Sequence, residues 1–184
     1  MPRQVFLFDP PERFVAGTVG EPGERTFYLQ ATARGRTVSV ALEKMQVAVL
    51  VERLEELLGE VQHRLGVDLP LQAPELEDLA PLDAPIEEEF RVGAMGLAWD
   101  GDAGLVVVEA HAQTGEDDEE APEPLTDAEE GPDVLRVQMN AAAARAFISR
   151  AARVLAAGRP PCPLCGLPLD PGGHVCPRQN GFRR

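Results

Sequence analysis

Apolar residues follow two different periods along the chain, and each change of period marks a predicted element. Between residues 26 and 32, apolar positions alternate with polar or amphipathic ones, as in a half-buried strand. After Glu43 the apolar residues recur three or four positions apart, as in an amphipathic helix, and Gly66 is suited to end it. Asn140 is a suitable N-cap for a second, alanine-rich helix that ends by Gly158. The same patterns predict strands at 5–8, 14–20, 26–32, 38–42, 90–99, 105–112 and 134–139, helices at 43–65 and 141–157, and an irregular segment at 67–88 with a short helical turn at 75–79.

The predicted elements occur in the order strand, strand, strand, helix, and this order occurs twice. Residues 38–43 align with residues 135–140, each opening directly into a helix, and residues 14–20 align with residues 90–96. The pattern favours an α+β fold in which one mostly antiparallel sheet, built from a duplicated β-β-β-α unit, carries both helices on one face. Chance similarity between two amphipathic segments would produce the same alignment.

Charge is distributed unevenly along the 184 residues, whose net charge is −14. Residues 116–133 hold ten acids and no base, interspersed with prolines. Such a stretch buries too little apolar area to offset the entropy of ordering, so we expect a mobile acidic loop. From residue 134 onward the chain carries eight basic residues and one acid, a net +7, which leaves −21 on the first 133 residues. The overall acidity argues against general affinity for nucleic acids.

Nothing in the sequence indicates a membrane or secreted protein. The longest uninterrupted apolar stretch is about five residues, too short to span a bilayer, and the N-terminus lacks the apolar run of a signal peptide. The three cysteines lie close together, whereas a disulfide framework uses an even number spread along the chain. We therefore expect a cytoplasmic protein that does not insert into membranes.

Four residues near the C-terminus have the chemistry of zinc ligands: Cys162, Cys165, His174 and Cys176. Zinc prefers four sulfur or nitrogen ligands in a tetrahedron, commonly supplied as two short pairs. In the Cys-Pro-x-Cys-Gly turn, amides donate to the first thiolate, and the glycine accepts the positive φ that closes the turn. We predict a structural zinc ion, because four protein ligands leave no position for a catalytic water. The tail at 159–184 then forms a zinc knuckle attached to an α+β domain at 1–158.

Three alternatives to a zinc site remain for the cysteine cluster. A thioredoxin-like redox pair needs its first cysteine at the start of a helix, which Gly166 and Pro168 oppose. An iron–sulfur cluster usually takes four cysteines, and only three are present. The tail could instead be disordered, with thiols that bind nothing. Within the zinc hypothesis, a single residue separates His174 from Cys176, which is closer than usual, so water or another group is an alternative fourth ligand.

Several basic residues are candidates for binding an anion. Arg13 lies in the proline-stiffened loop Asp9-Pro10-Pro11-Glu12-Arg13-Phe14, where the alternative is a solvated salt bridge. The further anion-binding candidates are Lys44, Arg178, Arg183 and Arg184. His111 lies in a strand with no Cys or Asp nearby in sequence, and it is interpreted as a core or surface histidine. The chain contains no glycine-rich phosphate loop, Gly-x-Ser-x-Gly or His-Glu-x-x-His motif, so the sequence assigns no reaction.

Three stretches of the chain carry a family resemblance. They run from Phe6 to Gly20, from Arg25 to Ala31, and from Cys162 to the final Arg-Gln-Asn-Gly-Phe-Arg-Arg. Together they resemble an uncharacterised actinobacterial family, a domain of unknown function, over the full length. Members of that family are typically encoded beside a histidine-phosphatase-like protein and a protein resembling lipid kinases. The resemblance implies a phosphate-related pathway or a shared complex, and it supplies no mechanism.

These features support three hypotheses about function. The first is a non-catalytic, zinc-containing interaction or adaptor protein, in which the knuckle and the N-terminal loop form a docking surface for a protein partner. The second is an enzyme or binding protein for a phosphorylated small molecule, with Arg13, Lys44 and the tail arginines as anion clamps. The third is a nucleic-acid-associated zinc-knuckle protein, which the scarcity of aromatic residues in the tail disfavours.

Overall fold

The computed structural model describes residues 2–115, 126–158, 162–167, 169, 174 and 176–178. Seven strands and two α-helices lie within these residues, together with a 3-10 turn at Pro74–Leu76. In chain order they are β1 (Val5–Phe8), β2 (Arg13–Val19), β3 (Thr26–Ala33), β4 (Arg36–Leu42), α1 (Lys44–Leu65), β5 (Glu88–Asp100), β6 (Leu105–Ala112), β7 (Val134–Met139) and α2 (Ala141–Ala156).

The strands form one sheet in the order β1-β7-β6-β5-β4-β3-β2. The β2–β3, β3–β4, β5–β6 and β6–β7 pairs are antiparallel. The β1–β7 and β4–β5 pairs are parallel. The predicted α+β fold, with a mostly antiparallel sheet and two helices, is therefore confirmed. The order β-β-β-α occurs twice, in β2–α1 and in β5–α2, whereas duplication as its origin stays a prediction.

Helix α1 begins and ends where the sequence places its signals. The backbone N–H of Glu43 donates to Oε1 of Gln46 at 2.8 Å, which satisfies a donor at the helix start. Gly66 ends the helix with a φ of 63°, a left-handed conformation that glycine adopts without steric cost. The buried face of the helix consists of residues spaced three or four apart: Val47, Leu50, Leu54, Leu58 and Val61.

Helix α2 packs closely on the sheet because its buried face consists mainly of alanine. Oδ1 of Asn140 accepts a hydrogen bond from the Ala143 N–H at 2.8 Å, so the predicted N-cap is confirmed. The rings of Phe147 on α2 and Phe14 on β2 stack with centroids 4.6 Å apart and planes 10° apart. Helix α2 also contacts α1, and side chains from both helices and from all seven strands share one apolar core.

The connection between α1 and β5, residues 67–87, is here called the crossing segment. Gln30 alternates along β3 with the core residues Leu29 and Ala31, so its side chain lies on the sheet face opposite the helices. Because Gln30 is hydrogen-bonded to Asp83, the crossing segment reaches that face. Nε2 of Gln30 donates to the Asp83 carbonyl at 3.0 Å, and the Asp83 N–H donates back to Oε1 at 2.8 Å. The segment has the expected irregular structure, with its single helical turn at Pro74–Leu76 instead of 75–79.

The second half of the expected acidic loop contacts the N-terminal residues. The Arg3 N–H donates to the Glu129 carbonyl at 2.9 Å, and its Nη1 donates to the Thr126 carbonyl at 3.1 Å. The Gln4 N–H donates to Oδ1 of Asp133 at 2.8 Å. Residues 116–125 of the expected loop lie outside the described residues. Across the part of the chain that the structure describes, no helix is long and apolar enough to cross a bilayer.

Candidate metal centre

The first two cysteines of the tail lie on a tight turn. The N–H of Gly166 donates to the Cys162 carbonyl at 2.8 Å, and the N–H of Cys162 donates to the Leu167 carbonyl at 2.8 Å. Gly166 has a φ of 76°, which a residue with a Cβ adopts only with strain. The sequence Cys-Pro-Leu-Cys-Gly therefore builds a closed turn that places both thiols on one side.

The four predicted ligands lie together at this turn. Their ligand atoms all lie within 4.8 Å of one another: Cys162, Cys165, His174 and Cys176. Sγ of Cys165 lies 3.3 Å from Nε2 of His174, and Sγ of Cys162 lies 3.9 Å from Sγ of Cys176. A tetrahedral zinc site with Zn–S bonds of about 2.3 Å has edges of about 3.8 Å between sulfurs. The geometry and the donor set both fit a single metal ion.

The pKa shifts of the first two thiols have opposite signs. Backbone N–H groups of Cys165 and Leu164 lower the pKa of Cys162, because they stabilise its thiolate. A Leu167 N–H acts in the same direction on Cys165, but burial and the neighbouring sulfurs of Cys162 and Cys176 outweigh it and raise the pKa of Cys165. All three cysteines are free thiols. A divalent ion among them would allow all three to ionise, since it offsets the mutual repulsion of the thiolates.

Arg13 and Lys44, two of the predicted anion-binding residues, lie apart in the structure. Arg13 begins β2 opposite Thr32, whereas Lys44 begins α1 just after the opposite end of β4. Five residue steps along β4 separate these two ends, or about 17 Å. Arg178 is exposed, while Arg183 and Arg184 lie outside the described residues. Arg13 and Lys44 therefore cannot clamp one small anion, and each stays a separate prediction.

Arg13 is occupied by the crossing segment. Its Nε and Nη2 donate to the two carboxylate oxygens of Asp78 at 2.6 and 3.2 Å, and its Nη1 lies 3.2 Å from Asp83. Nη2 also donates to the carbonyls of Ala80 and Pro81. The hydrogen bond from Arg13 holds the pKa of Asp78 below its usual value. These bonds fasten the crossing segment beside the edge strand β2.

Arg150 adds a second guanidinium to the same carboxylate, and sequence reasoning did not single it out. It is 7% exposed, and its Nε donates to the Ala16 carbonyl of β2 at 2.8 Å. Its Nη1 donates to the carbonyls of Asp78 and Ala80 at 2.7 and 2.6 Å and lies 3.3 Å from the Asp78 carboxylate. The available signal was one arginine on the buried, alanine-rich face of a helix.

A further polar cluster lies on the sheet face opposite the helices. Glu109 is fully buried and His111 is 1% exposed. The two carboxylate oxygens of Glu109 lie 2.6 Å from Nε of Arg136 and 2.9 Å from Nε2 of His111. Burial lowers the pKa of His111 despite the nearby carboxylate. His111 is thus a buried histidine, which was one of the two alternatives for it, and its partner is a glutamate two residues earlier that sequence reasoning did not identify.

The chain belongs to the family described as "Protein of unknown function (DUF3090)", whose model matches residues 6–176. The matched range extends from β1 to Cys176, so it includes the sheet, both helices and all four clustered ligand residues. The resemblance to a domain of unknown function over most of the chain is confirmed. No curated protein and no solved structure matches the chain.

Proposed function

We propose that this member of the DUF3090 family is a non-catalytic interaction protein whose C-terminal tail is ordered by a structural zinc ion. The observation that carries the proposal is the convergence of three thiols and one imidazole within 4.8 Å. Three sulfur ligands and one nitrogen ligand suit the borderline-soft zinc ion better than magnesium or calcium, which prefer oxygen. Across the residues that the structure describes, this is the only such group of metal-ligating side chains.

A structural role follows from the number of ligands. A catalytic zinc keeps one position for water or substrate, whereas four protein ligands fill the tetrahedron. Cys162 and Cys176 are also buried, whereas Cys165 and His174 are half-buried. The binding free energy of the ion therefore stabilises the folded tail, and removal of the ion should unfold it.

The interaction role rests on what the turn exposes. Leu164 and Leu167 flank Cys165, and they are 48% and 50% exposed. Two exposed leucines on a short, metal-fastened turn lose little conformational freedom when they bind, which lowers the entropic cost of forming a protein interface there. The exposed Arg178 lies just beyond Cys176 and adds a positive charge at the rim.

Metal content is the first measurement. Protein purified under reducing conditions with zinc present should contain one zinc per chain by elemental analysis, and Cys165→Ser should contain well under one. Leu164→Ala is the matched control, because it lies in the same turn and supplies no ligand, so it should retain the metal. Wild-type protein without stoichiometric metal would contradict the proposal.

Partner binding is the second measurement. We expect a protein partner to be captured by the zinc-loaded wild type and lost by both Cys165→Ser and the Leu164→Ala/Leu167→Ala variant. Leu71→Ala and Leu79→Ala are matched controls, since those leucines are exposed elsewhere on the surface. Proteins resembling histidine phosphatases and lipid kinases are the first candidates to test, following the family resemblance. If none of these variants affects capture of the partner, the partner does not bind through the metal centre or its leucines, and this part of the proposal is wrong.

The two alternative functions predict different results. A nucleic-acid-binding knuckle would give a salt-dependent gel shift that Arg178→Gln weakens. A protein that binds phosphorylated small molecules would show thermal stabilisation by such compounds. The interaction role is favoured over the latter because Arg13, the central residue of that hypothesis, already bonds Asp78, Asp83 and two carbonyls.

A further inference from the structure

A cavity of about 340 Å³ lies between the β1–β2 loop, strand β2 and the first half of α2. The small side chains of Ala143 and Ala146 on α2 leave the space, and Pro10 and Pro11 of the loop form part of its wall. A cavity of this size lies in the range of pockets that hold small organic molecules. It is formed by residues of the α+β domain, so it is a feature separate from the cysteine cluster.

The interior of the cavity is mostly apolar. The stacked rings of Phe14 and Phe147 line it, with centroids 4.6 Å apart. Met139 and Leu76 add further apolar surface. Such a lining favours a ligand with an apolar body, because water released from both surfaces stabilises the complex.

One donor of a buried side chain in the lining lacks a partner. Arg150 lines the cavity and is 7% exposed, and its Nε and Nη1 are hydrogen-bonded to protein oxygens. Its Nη2 makes no hydrogen bond within the described residues, and this atom is not fully enclosed by protein. Nη2 therefore keeps donors that solvent can reach, and an anionic acceptor atom of a ligand can replace water there with a charge-assisted hydrogen bond.

The charges around the cavity limit the charge of that ligand. Two cations, Arg13 and Arg150, face two carboxylates, Asp78 and Glu12, so the side chains of the lining are balanced. The N-terminus of α2 at Asn140 adds about half a positive charge. This partial charge offsets about half of a single negative charge on a ligand, but only about a quarter of the double charge of a phosphate monoester.

We propose that this cavity binds a small monocarboxylic acid with an aromatic or branched apolar body. The carboxylate accepts a hydrogen bond from Nη2 of Arg150, and the apolar body packs against Phe147. No covalent step is involved, so the site is a binding site for a metabolite-sized ligand.

The probe is phenylacetate, compared with the neutral phenylacetamide and the dianionic phenyl phosphate. Titration into ¹⁵N-labelled, zinc-loaded protein should shift the amide resonances of Ala143 and Phe147. A probe of ten heavy atoms should bind with a Kd on the order of 5 mM. Phenylacetamide should bind about fivefold more weakly, because it lacks the charge-assisted hydrogen bond, and phenyl phosphate should bind more weakly than phenylacetate.

Ala143→Leu tests the location, since the larger side chain fills the cavity without touching the Arg13–Asp78–Arg150 bonds. It should weaken phenylacetate binding at least about tenfold by steric exclusion. Ala152→Leu makes the same change at an exposed position of α2 and should bind as the wild type does. If Ala143→Leu is misfolded by circular dichroism, Ala143→Met fills the space with a more flexible side chain.

Four results would overturn the proposal. They are the absence of saturable phenylacetate binding at probe concentrations up to about 20 mM; equal binding of the amide; tighter binding of phenyl phosphate; or unchanged binding by both filling variants. The first would remove the site, the second and third its chemistry, and the last its location.

Discussion

The substitution Glu109→Gln tests the buried cluster on the sheet face opposite the helices. Glu109 is fully buried, and its oxygens lie 2.6 Å from Arg136 and 2.9 Å from His111. Glutamine has nearly the same shape, so the substitution removes the negative charge without creating a cavity. The amide oxygen of the glutamine can still accept a hydrogen bond from Arg136, but its NH₂ group then faces His111. The imidazole must therefore present a lone pair at Nε2 and place its proton on Nδ1. Nδ1 is buried without a hydrogen-bond partner within the described residues.

The structure allows the magnitude of this loss to be estimated. Removing one partner of a buried ion pair costs about 3–5 kcal/mol, because the other charge is left uncompensated. Arg136 is 13% exposed and keeps a second carboxylate, since its Nη1 lies 3.0 Å from the exposed Asp127. The cost should therefore lie near the lower limit, about 3 kcal/mol in the free energy of unfolding. For a chain of this size, that corresponds to a decrease in Tm of about 6–12 °C.

Urea unfolding at pH 7, followed by the fluorescence of the single tryptophan, Trp99, measures the difference. The zinc concentration is kept constant, so that binding of metal contributes equally to each protein. Glu56→Gln is the matched control: Glu56 pairs with Arg53 at 2.9 Å, but the side chains are 54% and 66% exposed. That control should lose about 0.5 kcal/mol or less. If Glu109→Gln loses no more than Glu56→Gln, burial does not strengthen the Glu109–Arg136 pair and the reasoning is refuted.

Two further predictions concern titrating groups. Burial and the positive charges of Arg3 and Arg136 oppose protonation of His111, so its pKa is lowered. Its contribution to stability is therefore complete above the unfolded pKa of about 6.5 and is lost as the pH falls below that value. His111→Gln should flatten the dependence of the unfolding free energy on pH between pH 7 and pH 5, and an unchanged pH profile would contradict this. The pKa of Asp78 is lowered by its hydrogen bond to Arg13, so the stabilisation persists at neutral pH and is lost only as the pH falls below about 3.8. Asp78→Asn should lower the free energy of unfolding by about 2 kcal/mol, measured by urea unfolding at pH 7. An equally large loss at pH 3 would show that the charge of Asp78 is not its cause.

The elements of the fold could be predicted because their signals are local. The ends of α1 depend on Glu43, Gln46 and Gly66, all within the helix or beside it. The N-cap of α2 depends on Asn140 and an amide three residues later. Strand order is different, since the β1–β7 and β4–β5 pairs join residues far apart in sequence. No local pattern records which strands become neighbours, and the sequence supported only the fold class.

The polar clusters could not be predicted for the same physical reason. Arg150 bonds Ala16, 134 residues earlier, and Asp78, 72 residues earlier. Each residue alone is an ordinary charged side chain, and their roles arise only when the crossing segment passes the edge of β2. Glu109 and His111 were nearer to detection. They lie two positions apart in a strand and therefore on one face, and Glu109 stands opposite Arg136 in the register of β6 and β7.

The metal centre is the intermediate case, and His174 shows why. A single residue separates it from Cys176, and this spacing is short for two ligands of one ion. In the structure the two residues approach different cysteines: the imidazole lies beside Cys165, and the sulfur of Cys176 lies beside Cys162. Alternate residues of an extended chain point to the same side, and those between them to the opposite side, so residues 174 and 176 can both face a common centre. The short spacing is thus compatible with four ligands, because His174 and Cys176 lie on different sides of the site, each next to a different thiol.

Metal analysis of a His174→Ala variant should therefore show weakened zinc binding, and full zinc occupancy at limiting metal would exclude the imidazole as a ligand.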